Sequence, residues 1–310
     1  MDHKIDRDIL QELERDSRQS HAQIARQIKV AKAVVNYRIR RMKEKGIITG
    51  YSFISNQTIL GLYSYGVLIR FRDLLFSEEK TKLKEIKRIS GVSWITSLTS
   101  QWDILVIIMG KDINSFNEVL KNIFEICGKH VDHYQFYIDF EGIVMTRKYL
   151  YTYPKSIFSE YHAGSLCTLN ETETQVYAHL KKEPTASLLN IAQKIGKTYD
   201  TVKSKYQILL DKGVLLRCVP RINGKALGYQ QYLCLLNPSP DAIEIANFLK
   251  IVRSDPNIVR YTRCLGHFSL FLDIHARDTE ELKEVLCRLK KSFPKIMDRR
   301  NRFPIRFRAK

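Results

Sequence analysis

Residues 32 to 45, KAVVNYRIRRMKEK, set an asparagine, a tyrosine and three arginines among aliphatic side chains at helical spacing. Turning Val35, Ile39 and Met42 inward leaves Ala33, Asn36, Tyr37, Arg40, Arg41 and Glu44 outward, with Lys32 and Lys43 at the flanks. Asn36 and Arg40 then stand one turn apart on the open face. A carboxamide pairs with two major-groove atoms of adenine and a guanidinium with two of guanine, so this face suits base reading. We assign base contact to Asn36, Tyr37 and Arg40, and phosphate contact to Lys32, Arg38, Arg41 and Lys43. The plainer alternative is a solvated basic helix.

A related phrase, TVKSKYQILLDKGVL, occupies residues 201 to 215, and Gly213 follows Gly46 by 167 residues. Its open face carries Asp200, Lys203, Ser204 and Gln207, so an acid would meet phosphate where the first phrase has none. Lys197, Lys203 and Lys205 retain some attraction for DNA. Two readings stand for this second helix: weaker or altered DNA contact, or a scaffold packing against the first.

Other chemistry finds little support. His130 and His133 lack a third ligand nearby in sequence and read as ordinary histidines, so no metal is expected. Six scattered cysteines form no C-x-x-C pair and read as reduced, mostly buried side chains. The sequence has no phosphate-cradling G-x-x-x-x-G-K-S/T loop, nucleophile elbow or H-E-x-x-H motif. The expectation is therefore a chain that is not an enzyme and carries no cofactor.

The elements that must position these helices are written twice. At the step of 167, Ser20 matches Ser187, Ile24-Ala25 matches Ile191-Ala192, Val35 matches Val202 and Leu60-Gly61 matches Leu227-Gly228. Agreement in core and turn positions is what a duplicated fold keeps while its surface diverges. Ile5, Ile9 and Leu13 mark a first helix; Ser20 with Gln23 forms a capping box for a second; the third runs from Lys32 to Lys45 and ends at Gly46. Residues 47 to 53 read as a wing. Strand, helix, strand, strand, helix, strand follow in both copies, the order of a ferredoxin-like sandwich.

The predicted class is α+β, with a winged helix-turn-helix at 1–62, a sandwich at 63–150, a linker at 151–167, a second winged helix-turn-helix at 168–228 and a second sandwich at 229–310. In the carboxyl-terminal strand, Pro304 argues for an edge position or one just outside regular pairing, and the alternating arginines would form a basic face toward DNA, an acidic partner or solvent.

Bulk properties agree with DNA as the partner. The chain has 310 residues, 44% of them hydrophobic, and a net charge of +18. Its longest apolar run, Ile104 to Met109, falls far short of the ~20 residues that span a membrane, and MDHKIDRDIL has no signal-peptide core, so a cytoplasmic location is expected.

These features resemble the Lrp/AsnC, or feast/famine, regulators. IKVAKAVVNYRIRRMKEKGII is similar to that family's L-G-L-S-x-x-T-V-x-x-R-I-x-R-L-x-x-x-G-V-I segment, and SHAQIA and SLLNIA to its S-x-x-E-L-A. Ala31 departs from the capping serine, and Ile208 replaces the second arginine in the second copy. The resemblance implies a sequence-specific transcriptional regulator with RAM-like sandwiches that pair subunits, often in larger homo-oligomers. Here the two halves would pair within one chain. It also implies an amino-acid-like effector beside a G-x-x-D turn. Ser100-Gln-Trp-Asp103 keeps only the acid, at Asp103, and Gly266-His-Phe-Ser269 keeps only the glycine, at Gly266. Two alternatives remain. One is an enzyme resembling the siroheme decarboxylases, which use paired Lrp-like subunits; the other is a ligand-sensing or assembly protein with a degenerate second DNA head.

Overall fold

Ile9, Leu10 and Leu13 fall on one side of the first helix and are almost wholly buried, which is why this strongly amphipathic segment docks rather than frays. The structure is a computed structural model that describes residues 4–151, 157–237, 242–297 and 302–307. It divides into two compact units: residues 1–60 with 144–229, and residues 61–143 with 230–310.

The first unit holds both helical heads. The first comprises α1 (Lys4–Arg15), α2 (His21–Gln27), α3 (Lys32–Glu44) and β1 (Ile48–Ser55). The second repeats that order as α6 (Glu171–Lys182), α7 (Leu188–Ile195), α8 (Tyr199–Asp211) and β7 (Leu215–Ile222). Each wing packs on its own head, Ile48 of β1 in the first core and Leu215 of β7 in the second, but among the described residues neither forms a hairpin there. Instead β1 and β7 pair antiparallel, from Ile48 opposite Ile222 to Ser55 opposite Leu215.

Each core borrows from the other wing in consequence. Phe53 and Ile59 pack with Val176, Ile191, Val202 and Leu209 of the second head, while Ile222, Leu227 and Tyr229 pack with the core of the first. The segment read as a linker contains a strand, β6 (Phe158–His162), in place of irregular chain throughout. The backbone explains its order: the His162 carbonyl accepts from Asn56 Nδ2 at 3.0 Å and from Thr58 Oγ1 at 2.9 Å. Residues 152–156 of that segment lie outside the described residues.

The second unit contains β2 (Tyr63–Phe71), α4 (Phe76–Ile86), β3 (Val92–Thr99), β4 (Ile104–Gly110), α5 (Ile113–Cys127) and β5 (Val131–Met145), which runs on into the first unit. Later come β8 (Gln230–Leu236), α9 (Ala242–Ser254), β9 (Ile258–Gly266), β10 (Leu270–Ala276), α10 (Thr279–Ser292) and β11 (Arg302–Phe307). These α+β elements match the sandwich order expected from the sequence.

Hydrogen-bonded neighbours run β2-β4-β3-β11-β8-β10-β9-β5, and β2 also pairs with β5, so the sheet closes on itself. Side chains alternate across it. Tyr65, Val67 and Ile69 face one way with Ile104, Val106 and Ile108, against Phe116, Val119, Leu120 and Ile123 of α5. Leu68 and Leu105 face the other way, beside Leu233, Leu235, Cys264 and Phe271. The apolar run at Ile104 is therefore a strand buried on both faces.

Pro304 does not mark a sheet edge, but on one side it stands outside regular pairing, the other expectation for it. β11 lies between β8 and β3, with Pro304 opposite Cys234. Its pairing with β3 is confined to Arg306 opposite Thr99 and Phe307 opposite Leu98, so the ladder asks little of position 304 on that side. The side chains of the expected basic face lie outside the described residues.

Gly66 stands opposite Tyr137 in the β2–β5 pair, and a Cβ added there would lie 2.1 Å from the tyrosine ring. Tyr137 is itself buried in the interior cluster, so the ring has little room to withdraw. Gly66→Ala is expected to destabilise this unit by about 1–3 kcal/mol, seen as a lower denaturant midpoint without change of slope. An unchanged midpoint would show that the ring moves freely.

Candidate nucleic-acid interface

The α3 helix is held from below. Ser20 caps α2 by accepting from the Gln23 N–H, and the Gln23 side chain accepts from the Ser20 N–H at 2.8 Å. Lys29 adopts φ +57 in the turn after α2, a left-handed position that reverses the chain toward α3. Ala31 gives α3 no side-chain cap. The helix is fixed instead by Val35, Ile39 and Met42, none more than 2% exposed, and it ends before Gly46 at φ +65.

Lys32, Asn36, Tyr37, Arg40, Arg41 and Lys43 are all exposed. Their surroundings differ. Arg40 makes a long, solvent-exposed contact of 3.7 Å with Glu44, an arrangement that costs little to break. Arg41 projects from the same exposed face. The Lys43 ammonium lies 5.2 Å from the Tyr51 ring centre.

Arg38 is turned toward α1, with Nη1 at 3.7 Å from Asp6 and both side chains mostly covered. That position favours bracing the head over reaching phosphate. Asn36 has a partner that the sequence did not suggest: its Oδ1 meets His21 Nδ1 across the turn. An amide oxygen only accepts, so Nδ1 would carry the proton, leaving the Asn36 NH₂ as the outward donor.

In the second head, Lys197, Asp200 and Lys203 are exposed, while Lys205 is drawn inward. Lys205 Nζ lies 3.2 Å from Glu173 Oε1 and Lys212 Nζ 3.0 Å from Oε2. Burial opposes the charge on Glu173, yet hydrogen bonds from Lys212, the Asn170 N–H and Lys205 outweigh it and hold the carboxyl below its usual value. Gln207 donates to Asp211 at 2.8 Å. Thr198 caps α8 through its hydroxyl, accepting from the Thr201 N–H. The second helix is thus better capped and less cationic outward than the first.

Both heads meet at a cleft of about 390 Å³ within this unit, lined by Arg18, His21, Lys43 and Tyr51 on one side and by Thr185 and Ser187 on the other. Arg18 Nη1 donates to the Pro184 carbonyl at 2.6 Å, and its guanidinium stands 5.1 Å from the Tyr206 ring centre.

The second unit places the expected effector residues in structural roles. Asp103 Oδ2 accepts from the Phe71 N–H at 2.8 Å, while the Asp103 N–H donates to Ile69 O at 3.0 Å. Gly266 adopts φ +126 where an added Cβ would sit 2.7 Å from the Phe136 carbonyl oxygen. Close backbone approach therefore accounts for this glycine.

Beside those turns lies an open bowl of about 330 Å³ lined by Arg70, Gln101, Trp102, His133, Gln135 and His267. Asp132 accepts from Arg72 Nη2 at 2.5 Å and from Arg70 Nε at 2.7 Å, and these bonds, that of Arg72 foremost, hold its carboxyl below the usual range. His133 stacks on Trp102 with ring centres 5.7 Å apart, and His130 Nδ1 lies 3.3 Å from the Arg72 carbonyl. Among the described residues, no group of three or more His, Cys, Asp or Glu side chains could hold a metal ion.

A family model for winged helix-turn-helix DNA-binding matches residues 2–49. The HTH-type transcriptional regulator Ptr1 of Methanocaldococcus jannaschii is 31% identical over 118 residues, 38% of this chain and 78% of that relative. An uncharacterized HTH-type transcriptional regulator of Pyrococcus horikoshii is 26% identical over 118 residues, 38% of this chain and 79% of the relative. A solved structure of the siroheme decarboxylase NirDL superimposes with a TM-score of 0.63 at 14% identity, covering 99% of this chain and 91% of that one. The same enzyme, in co-complex with an iron-uroporphyrin III analogue, gives 0.64 at 13% identity over 97% of this chain and 90% of that one.

This whole-length match overturns the expectation that the chain is not an enzyme. That expectation rested on missing local motifs, and a fold shared end to end with an enzyme shows that such motifs are a poor test here.

Because the folded Glu173 carboxyl is depressed, its contribution to stability is present above its unfolded value and is lost as pH falls through the folded value. Lys205→Met should raise the folded value and shift acid unfolding, followed by circular dichroism, to higher pH. Lys203→Met should leave that midpoint in place; equal shifts would remove the special role of Lys205.

Proposed function

We propose that this chain, which belongs to the family of HTH-type transcriptional regulators, binds double-stranded DNA sequence-specifically as an Lrp/AsnC-like tandem duplication. The observation that carries the reading is the open face of α3, where Asn36, Tyr37, Arg40 and Arg41 are exposed on a helix whose opposite face is buried. Phosphate contacts supply affinity that falls with salt, and contacts from Asn36 and Arg40 to base edges supply preference. The β1–β7 ribbon supports presentation of α3 and α8 as a pair.

Binding would be unequal. Asp200 occupies the first turn of α8, Gln207 stands where the first head has Arg40, and Lys205 serves Glu173, so Lys197 and Lys203 are left as the second head's backbone contacts. A small effector would be taken in the bowl around Arg70 and His267, since Asp103 and Gly266 serve the turns that frame it. Assembly into homo-oligomers belongs to this same reading.

A second reading has one specific observation in its favour, the fold shared over 99% of the chain with a siroheme decarboxylase. In it the sandwiches act on a tetrapyrrole, and the Arg70, His133 and His267 side chains supply donors for its carboxylates.

For the regulator, Arg40→Ala is expected to relax base preference at a cost of about 1–3 kcal/mol in operator affinity. Arg41→Ala should weaken all duplexes alike and lower the salt slope by about one. Selection of bound genomic fragments followed by titration at several salt concentrations reads both. Indistinguishable binding of every duplex by wild type and both variants would reject base reading. For the second reading, added iron-uroporphyrin should shift its absorbance bands saturably, and added siroheme should lose carbon dioxide; an unaltered spectrum would remove the reading.

A further inference from the structure

The cleft between the two heads shares Lys43 with the face assigned to DNA and adds Arg18 and His21 to it. Its walls bring Arg18, His21 and Lys43 from the first head toward the hydroxyl-bearing Thr185 and Ser187 of the second, and none of its lining residues is an acid. The nearby carboxylate of Asp16 is occupied: its Oδ1 accepts from the Arg18 N–H at 2.9 Å. Arg18 is held in place by the Pro184 carbonyl and the Tyr206 ring, so its charge is already ordered.

Cations on one wall and hydroxyls on the other suit a tetrahedral anion, whose oxygens accept in several directions, better than a flat carboxylate. We infer that this cleft is a site for a phosphoryl group. It has two possible sources, free inorganic phosphate or a phosphate of the DNA backbone. Two lining residues connect the site to base reading: Lys43 lies on α3, and His21 holds the Asn36 carboxamide. A phosphoryl group in the cleft would compete for both. The DNA arm of the inference rests on the regulator reading; the phosphate arm does not.

Thr185→Glu tests it, because Thr185 is exposed and sits on the opposite head from α3. The full chain is titrated calorimetrically with inorganic phosphate against chloride at equal ionic strength, and its salt slope on DNA is measured. If free phosphate is the ligand, wild type binds it saturably and Thr185→Glu weakens it by at least about tenfold. If the DNA backbone is the source, wild type does not bind phosphate saturably, but the variant lowers the salt slope by about one. Saturable binding that the variant leaves intact places the anion elsewhere and overturns the inference. So does the absence of both effects. Should the wild type fail to bind DNA at all, the regulator reading falls and the phosphate titration alone decides.

Discussion

The antiparallel pairing of β1 with β7 is the constraint on which the first unit depends. Seven backbone pairs between Ile48 and Ser55 on one strand and Ile222 and Leu215 on the other fuse two helical heads into one body. The fusion is reinforced by packing, since Phe53 completes the second core and Ile222 joins the first. Burying a large apolar side chain is worth about 1.5–3 kcal/mol, so the exchanged residues add several kcal/mol to what the ribbon contributes. Neither α3 nor α8 can reorient without disturbing a wing on which the other head also relies.

Charge is sorted by the same architecture. Three acids in this unit are turned inward: Glu14 accepts from Arg147 Nη1 at 2.5 Å and from the Tyr151 hydroxyl, Asp6 meets Arg38, and Glu173 gathers Lys205 and Lys212. What remains outward on α3 is mostly cationic, which fits a chain of net charge +18 that meets a polyanion. In the second unit, ion pairs of Arg260 with Asp139 and Arg263 with Glu141 tie β9 to β5, where the closed sheet joins its earlier and later strands.

Much of this was legible in the sequence because local periodicity survives folding. The inward positions Val35, Ile39 and Met42, the Ser20 capping box and the left-handed Gly46 are set by neighbours within a turn or two. Long-range choices were not legible. Nothing in Arg38 or Lys205 alone distinguishes a phosphate contact from an internal brace, because in each case the partner acid lies 32 residues away. Pro304 left two placements open for a related reason: its penalty depends on which neighbour pairs at that position. Asp103 and Gly266 were noticed through a motif, yet their backbone roles follow from the turn each must close. The absence of familiar catalytic motifs said little about catalysis, since the whole-length fold match is to a decarboxylase.

The ribbon also governs how the polypeptide reaches its native state. Thr49 Oγ1 donates to the Arg221 carbonyl at 3.1 Å across a separation of 172 residues. Emerging from the ribosome, the first head must therefore wait with an unpaired strand edge and an exposed Phe53 until the second wing has been synthesised. Such high contact order slows folding and lengthens the time in which two nascent chains can exchange wings, so a domain-swapped dimer is the misassembly to which this topology is prone.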